Sequence, residues 1–227
     1  MYLSRVNVLA EQPDQLAKIL KADHYELHRL LWLLFPEHKE NDPRDFLFRR
    51  DESKGFPVFY VQSSIKPSPL AGILAVESKE FNPQLKAGDK LRFSLRANAV
   101  RKSKFVGGDE TNSAQYARHD VVIHLKKSLL AQGIAKEDLP DQAELEQQAG
   151  ECWLKKKAEK NGFKLVSVIA DGYQQHHFKK RGIKISTLDF QGVLEVTEPE
   201  LFIRDALYKG IGPAKAFGCG LLSLARI

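Results

Sequence analysis

The chain has 227 residues, of which 43% are hydrophobic, so it can bury a substantial core in one large domain or two small ones. Its formal net charge of +6 at pH 7 favours a polyanionic partner. The two cysteines, Cys152 and Cys219, have no metal-ligand spacing and suit a reducing compartment. No signal peptide is visible, and the longest apolar run, residues 30–35, is far too short to cross a bilayer. We therefore expect a soluble, cytoplasmic protein without a membrane partner.

The first part of the sequence predicts a β-α-β-β-β order of elements. Residues 2–9 alternate in the manner of a strand. Asp23, with Glu26 three residues later, has the spacing of a capping box, and Pro36 ends the helix that begins there. The buried face of this helix is predicted by leucines at helical spacing, which are Leu27, Leu30, Leu31 and Leu34. The other predicted elements are a short helix at 15–20 and strands at 44–50, 57–62 and 72–81.

Residues 82–90 contain a proline and a Gly-Asp pair and predict a domain boundary. Beyond it, the patterns predict a β-α-β-β-α-β order, which is a ferredoxin-like arrangement. The predicted strands lie at 90–101, 164–175, 184–196 and 220–225, and the predicted helices at 121–130, 141–161 and 197–209. We expect Thr197 and Glu200 to cap the last helix. Residues 102–117 have few apolar side chains and predict a mobile loop.

Four glycines surround one lysine in the stretch GIGPAKAFGCGLLSL at residues 210–224. The glycines are Gly210, Gly212, Gly218 and Gly220. Glycine permits positive φ and a close approach of the backbone to a ligand, so this loop with Lys215 can present N–H groups and a cation to a phosphate. The alternative is a helix-to-strand turn in which Gly210 is only a helix C-cap. The spacing matches neither G-x-x-x-x-G-K-[ST] nor G-x-G-x-x-G, so both interpretations stay open.

A basic cluster lies between the last two long predicted strands. Its members are Lys179, Lys180, Arg181 and Lys184, and Gly182 permits a turn. Such a charge run is often a solvated surface, but at a strand–strand turn it can reach the phosphates or a groove of an RNA hairpin. No RNP1-type sequence with stacking aromatic residues lies on a predicted strand. We therefore expect recognition of stem shape and backbone charge.

Tyr25 and His28 lie three residues apart and project from one face of the predicted helix, away from the leucine stripe. Histidine can give or take a proton near neutral pH, which makes His28 a candidate for proton transfer. A surface helix with one tyrosine and one histidine is the alternative. His24 and His28 also suggest zinc, but their spacing is H-x-E-x-H and no third ligand completes the set, so we expect no metal.

Several stretches resemble the CRISPR-associated repeat-processing ribonucleases of the RAMP superfamily. The most specific is the glycine-rich stretch at 210–224, and the others are MYLSRV at 1–6, YELHRLLWLLFP at 25–36, DFLF at 45–48 and LRAN at 95–98. The resemblance implies an α+β fold of two tandem ferredoxin-like (RAMP/RRM-like) domains, with antiparallel sheets and helices on one face. Their expected bounds are 1–88, carrying the Tyr/His helix, and 89–227, carrying the basic hairpin and the glycine-rich loop.

The resemblance further implies an endoribonuclease that cleaves the stem-loop of CRISPR repeat RNA by attack of a 2′-hydroxyl, without a metal or cofactor. Tyr25 and His28 match the catalytic tyrosine and histidine of the family, and Arg29 joins the basic cluster and the glycine-rich loop as an expected RNA contact. Other Cascade subunits are the expected partners of a chain that is monomeric when free. Two alternatives remain: a non-catalytic subunit that binds a stem-loop, and a phosphometabolite enzyme that uses the glycine-rich loop.

Overall fold

Two four-stranded antiparallel sheets carry most of the fold. The computed structural model describes residues 1–9, 11, 13–38, 45–53, 55–104, 116–178 and 182–227. In each sheet the strands lie in the spatial order 4-1-3-2, counted within that sheet along the chain, and all neighbouring strands are antiparallel. This is the arrangement of a ferredoxin-like fold. The predicted α+β class with two tandem ferredoxin-like units is therefore confirmed.

The first sheet contains β1 to β4, with both helices of this half between β1 and β2. The elements are β1 (Tyr2–Val8), α1 (Pro13–Lys21), α2 (His24–Trp32), β2 (Phe46–Ser53), β3 (Phe56–Ser63) and β4 (Leu74–Glu80). As predicted, Leu27, Leu31 and Leu34 are fully buried, whereas Leu30 is only partly buried. All four pack in one core cluster with aromatic residues of β2 and β3. Residues 64–73 form turns and a bridge without a helix, so this half lacks a second crossover helix.

The second sheet contains β5, β8, β9 and β10 and is covered by a long helix. The elements are β5 (Lys90–Ala97), β6 (Val100–Lys104), β7 (Tyr116–Asp120), α3 (Val121–Ala131), α4 (Gln142–Lys160), β8 (Phe163–Phe178), β9 (Ile183–Val196), α5 (Pro199–Leu201) and β10 (Leu222–Arg226). Helix α4 begins with a capping box between Asp141 and Glu144. Its buried Trp153 and Leu154 share a core with Phe190.

The prediction of a mobile loop at 102–117 was wrong at both ends, and its middle, residues 105–115, lies outside the described residues. Strands β6 and β7 form an antiparallel pair in which Val100 lies opposite Asp120 and Lys102 opposite Arg118. These short strands are rich in basic residues, so they lack the apolar alternation by which strands are recognised. The predicted strand at 90–101 is also two strands, because the buried Asn98 between them donates from Nδ2 to the Ser186 carbonyl at 2.6 Å.

The predicted cap of the last helix was wrong as well. The helix begins at Pro199 after Glu198, whose side chain makes no capping hydrogen bond. The backbone carbonyl of Gly162 instead accepts from the N–H groups of Thr197 and Glu198, at 2.9 and 3.0 Å. Most of the helix, Phe202–Tyr208, is π-helical. A contact made by a distant backbone thus directs the chain into this helix, where a local capping box was expected.

Polar and backbone contacts join the two halves. Gln62 Nε2 on β3 donates to the Leu207 carbonyl at 2.7 Å, and Arg49 Nη1 on β2 donates to Ser94 Oγ on β5 at 3.1 Å. The boundary that we predict after residue 88 falls in the connection between β4 and β5. The division into domains 1–88 and 89–227 stays a prediction. Within the described ranges, none of the helices is both long and apolar enough to span a membrane.

Candidate active site

The start of α2 sets the position of Tyr25 and His28. Asp23 Oδ1 accepts from the backbone N–H groups of Tyr25 and Glu26 at 2.9 and 2.8 Å, and Glu26 Oε2 accepts from the Asp23 N–H at 2.9 Å. This is the predicted capping box, which satisfies N–H groups of the first turn that have no partner within the helix. The helix therefore starts at a defined residue, and the side chains one turn later project in a defined direction.

His28 is half-buried among aromatic rings from two elements. Its imidazole stacks on Phe46 and Phe48 of β2, with ring centroids 5.7 and 6.2 Å away. On its own helix, the ring of Tyr25 is 6.2 Å away and that of Trp32 is 6.0 Å away. Rings on several sides restrict the rotation of the imidazole. The 6.2 Å between the two rings makes Tyr25 and His28 close neighbours. Phe46 and Phe48 of β2 help to hold the histidine in a single orientation.

The zinc interpretation gains no support. The side chain of His24 lies outside the described part of the structure. Among the described residues, no group of three or more His, Cys, Asp or Glu side chains could hold a metal ion. The absence of a metal requirement stays a prediction.

The glycine-rich loop packs one half of the protein against the other. Gly210 has φ +74°, and a Cβ atom there would lie 2.7 Å from both the Gly220 carbonyl oxygen and Leu47 Cδ1 of β2. Gly218 has φ +78°, and a Cβ atom there would lie 3.3 Å from the ring of Phe48. The loop closes on itself where the N–H of Ile211 donates to the Gly220 carbonyl at 2.9 Å. These glycines are therefore needed for close packing, which goes beyond a helix C-cap.

The loop also touches the helix that carries the candidate catalytic pair. A 3₁₀ turn, Lys215–Phe217, lies against α2, and the Lys215 ammonium donates to the carbonyl of Lys209. The loop thus lies beside the His28 site. Whether its N–H groups and Lys215 contact phosphate stays a prediction, as does an RNA-binding role for Gly210, Gly212, Gly218 and Gly220.

The structure describes two of the remaining predicted RNA contacts. Arg29 is exposed on α2, directly after His28. Lys184 is exposed on β9 and lies opposite His177 of β8. The predicted basic residues at 179–181 lie outside the described residues, between the paired ends of β8 and β9. The hairpin itself is confirmed, whereas the role of its basic residues stays a prediction.

A polar pair behind the aromatic cluster was not predicted. His38 Nε2 lies 3.0 Å from Asp45 Oδ1, and the Ser64 hydroxyl donates to the same carboxylate group. The ring of Trp32 packs edge-on against both His38 and Phe46, at 5.3 and 5.1 Å. His38 and Asp45 are separated by six residues outside the described part of the chain, so no local pattern indicated that they meet.

A basic groove was also missed by the sequence patterns. It has a volume of about 870 Å³ and lies between the C-terminal end of α4, the β6–β7 hairpin and the glycine-rich loop. The one signal that could have indicated it is the run Lys155-Lys156-Lys157 with Lys160 in the last turns of α4. A lysine run on a helix is more often a solvated face, and the hairpin that completes the groove was expected to be a loop.

Two groups near the loop, Cys219 and Arg96, have structural roles. Burial raises the pKa of the Cys219 thiol to about 12, so this residue stays protonated and is a poor nucleophile at neutral pH. Arg96 on β5 donates from Nε and Nη2 to the two carboxylate oxygens of Asp189 on β9, at 2.7 and 2.6 Å. This hydrogen bonding is the main cause that raises the pKa of the guanidinium. The bidentate pair joins two central strands. Neither Cys219 nor Arg96 is therefore suited to proton transfer near neutral pH, and His28 is the better candidate.

Comparisons with known proteins agree along the whole chain. A family model described as CRISPR associated protein matches residues 1–226. The chain is 33% identical over 231 residues to the CRISPR system Cascade subunit CasE of Escherichia coli K12, covering 99% of both chains. It is 29% identical over 224 residues to the CRISPR-associated endoribonuclease Cse3 of Thermus thermophilus, covering 90% of both. The structure of Thermus thermophilus Cse3 bound to an RNA representing a pre-cleavage complex matches with a TM-score of 0.71 and 26% identity, covering 99% of this chain and 98% of that one.

The two antiparallel sheets, each with the ferredoxin-like strand order, define an α+β protein of the double ferredoxin-like class. With the matches in sequence and structure, the particular family follows. The chain belongs to the CRISPR associated protein family that includes CasE and Cse3.

Proposed function

We propose that this protein is a metal-independent endoribonuclease that cleaves the stem-loop of CRISPR repeat RNA. The observation that carries the proposal is the half-buried His28 imidazole, stacked on Phe46 and Phe48 with Tyr25 beside it, at the start of a capped helix. The names of the relatives support the reaction class, because one is an endoribonuclease and was solved with RNA. The net charge of +6 suits a polyanionic substrate.

The reaction needs one proton to leave the nucleophile and one to reach the leaving group. The 2′-oxygen attacks the adjacent phosphorus, the bond from phosphorus to the 5′-oxygen breaks, and the products are a 2′,3′-cyclic phosphate and a 5′-hydroxyl. His28 transfers a proton as base or acid, since an imidazole titrates near neutral pH. A phenol hydroxyl is a poor proton acceptor compared with an imidazole, so we assign Tyr25 to orientation or assistance. Arg29 is a candidate to stabilise the charged transition state.

The proposed role extends to an assembly and a location. CasE is named as a subunit of Cascade. We accordingly propose that this chain, monomeric when free, keeps the cleaved stem-loop bound and joins other Cascade subunits. This role places it in the cytoplasm, where free thiols such as Cys152 and Cys219 persist.

The test is an assay of the purified chain with synthetic repeat RNA in the presence of EDTA. We expect cleavage to a 2′,3′-cyclic phosphate, and we expect RNA with a 2′-deoxy sugar 5′ to the scissile phosphate to bind without being cut. A strict Mg²⁺ requirement, or cleavage of the deoxy substrate, would contradict the mechanism. Tight stem-loop binding without cleavage of either RNA would instead support a non-catalytic RNA-binding subunit.

A further inference from the structure

The basic groove has a large excess of positive charge. Eight lysine and arginine side chains line it, and one carboxylate, Asp205, is found among its described lining residues. The six cations on which the inference rests are Arg101 and Lys102 of β6, Arg118 of β7, and Lys156, Lys157 and Lys160 of α4. Asp205 is already paired with Arg204 at 2.7 Å and with Lys209 at 2.6 Å. It is therefore unavailable to neutralise the other cations.

The crowding of these cations is unfavourable in the free protein. Lys102 lies directly opposite Arg118 in the β6–β7 ladder, and like charges at opposite positions destabilise a pair of strands. Burial lowers the pKa of Lys157, and the nearby charges of Lys160 and Lys102 lower it further. Cations from two separate elements thus repel one another across the groove, and a bound polyanion would relieve that repulsion.

The floor of the groove favours phosphate contacts over base stacking. Trp153 lies there, but the residue is only 6% exposed and its ring stacks on Phe190 at 5.7 Å. Its indole N–H donates to the Val100 carbonyl at 3.1 Å, and the Lys157 ammonium lies 5.8 Å from the ring centroid. The aromatic surface is therefore already covered. The exposed groups are ammonium and guanidinium groups, which bind backbone phosphates with little regard to base identity.

The size and position of the groove indicate which part of an RNA enters it. The groove volume of about 870 Å³ is of the order that holds a drug-sized ligand, which matches a few nucleotides of single-stranded RNA. The glycine-rich loop forms one wall, through Gly212 and Lys215. The same loop packs its Gly218 against Phe48, and the ring of Phe48 stacks on His28. One loop therefore separates the candidate active site from the groove. A single-stranded RNA that leaves the active site can reach the groove by crossing that loop.

We propose that this groove binds the phosphates of single-stranded RNA flanking the cleaved stem-loop, at a site separate from the Tyr25–His28 centre and from the β8–β9 hairpin. The inference rests on the proposed endoribonuclease function. It adds a second RNA contact, which holds the flank of the substrate while the stem-loop is cut.

The test compares two variants with the same change of charge. The groove variant carries Lys156→Gln, Lys160→Gln and Arg118→Gln, which all replace exposed side chains. The control variant carries Lys126→Gln, Lys127→Gln and Lys155→Gln, which are exposed and do not line the groove. Two uncleavable 2′-deoxy RNAs serve as probes, the bare stem-loop and the stem-loop with a single-stranded extension on either side. Dissociation constants are measured at several salt concentrations, and thermal melting checks that both variants fold.

We expect the groove variant to bind the extended RNA about tenfold or more weakly at moderate salt, with an almost unchanged affinity for the bare stem-loop. Its slope of log K against log salt should fall by roughly 0.7 for each single-strand phosphate that the protein no longer neutralises, so by about 2 for three phosphates. The control variant should match the wild type. Equal effects of the two variants, or equal reductions in affinity for both RNAs, would overturn the inference.

Two further outcomes separate this inference from its rivals. If the groove variant binds both RNAs normally but no longer associates with other Cascade subunits, the groove is a protein interface and the inference is wrong. Cleavage of the bare stem-loop by the wild type tests the proposed function independently. If the wild type cleaves the stem-loop but the groove variant binds the extended RNA as tightly as the wild type does, only the groove proposal is wrong. If the wild type neither binds nor cleaves any of these RNAs, the proposed function is wrong as well.

Discussion

His28 illustrates how a residue acquires its setting in two stages. Its place on α2, away from the buried leucines, follows from spacing alone, because the capping box at Asp23 and the leucine stripe define the start and the inner face of the helix. Its aromatic surroundings depend on Phe46 and Phe48, which reach it from a separate strand. The same imidazole would be an ordinary surface side chain if β2 did not pack against the helix.

At this scale we predict that His28→Ala and His28→Phe both lose cleavage, by at least ~10²-fold, which is the lower range for one general acid–base group. The phenylalanine variant keeps an aromatic ring against Phe46 and Phe48 but cannot transfer a proton. Binding of uncleavable stem-loop RNA should stay within a few-fold of the wild type for both. Single-turnover cleavage rates and dissociation constants measure the two effects.

The matched control is Leu33→Ala, which removes an exposed side chain just after the same helix and should leave cleavage intact. Circular dichroism of all three variants checks that α2 still folds. Cleavage by His28→Phe at the wild-type rate would show that the imidazole is not the proton-transfer group.

The glycine-rich loop shows how an element can be recognised from its sequence while its physical role is not. Its spacing allowed either a phosphate-binding loop or a helix C-cap. The structure adds a third reason for glycine, which is lack of space: at Gly210 a Cβ atom would meet the backbone oxygen of Gly220 as well as the side chain of Leu47. The Gly220 backbone cannot move aside as a flexible side chain can, so a methyl group here would disturb the loop itself. The contact with Leu47 packs the same position against β2.

We predict that Gly210→Ala destabilises the protein more than Gly133→Ala does. Both positions have positive φ, at +74° and +89°, so each substitution should cost about 1–2 kcal/mol in backbone conformation. At Gly133 nothing lies within 4 Å of the added methyl group, whereas at Gly210 overpacking should cost a further ~1–3 kcal/mol. Urea unfolding measures the difference.

Cleavage should also fall more in Gly210→Ala than in Gly133→Ala, because Leu47 lies between the two phenylalanines of β2 that hold His28. Equal decreases of stability in the two variants would mean that the loop can shift away from β2 without cost. In that case the glycine at 210 would serve only the conformation of the turn.

Positive charge is distributed over distant parts of the chain. Basic residues occur at 179–181, between β8 and β9 in the sequence, at the exposed Arg29 on α2 and in the groove beside α4. Net charge alone indicates a polyanionic partner, but it cannot say which surfaces touch it. Separating these surfaces requires variants that change one of them at a time and leave the total charge equal.

We predict that Lys179→Gln, Lys180→Gln and Arg181→Gln together weaken binding of the bare, uncleavable stem-loop. Each phosphate that the turn no longer neutralises should reduce the slope of log K against log salt by roughly 0.7 to 0.9. Titration at several salt concentrations measures it, with the variant at Lys126, Lys127 and Lys155 as the charge-matched control. An unchanged slope would remove the turn from the RNA-binding surface.

Features that depend on residues close together in the chain can be derived from the local sequence. These include the capping box of α2, the leucine stripe, the extent of α4, most strands of both sheets and the glycine-rich turn. Caps and periodicity act over a few residues, so their patterns can be recognised without knowledge of the fold. The resemblance to a known family supplied Tyr25 and His28 as the catalytic candidates, a choice that the residue types alone left open.

Which distant side chains meet depends instead on how the elements pack together. The β6–β7 hairpin pairs basic strands that have no apolar alternation, and Gly162 directs the chain into the last helix from a distant part of the sequence. The groove combines α4, that hairpin and the C-terminal loop, and the His28 site combines α2 with β2. Such contacts depend on how whole elements pack around a shared core, and this long-range packing leaves no periodic signal in any one stretch of sequence.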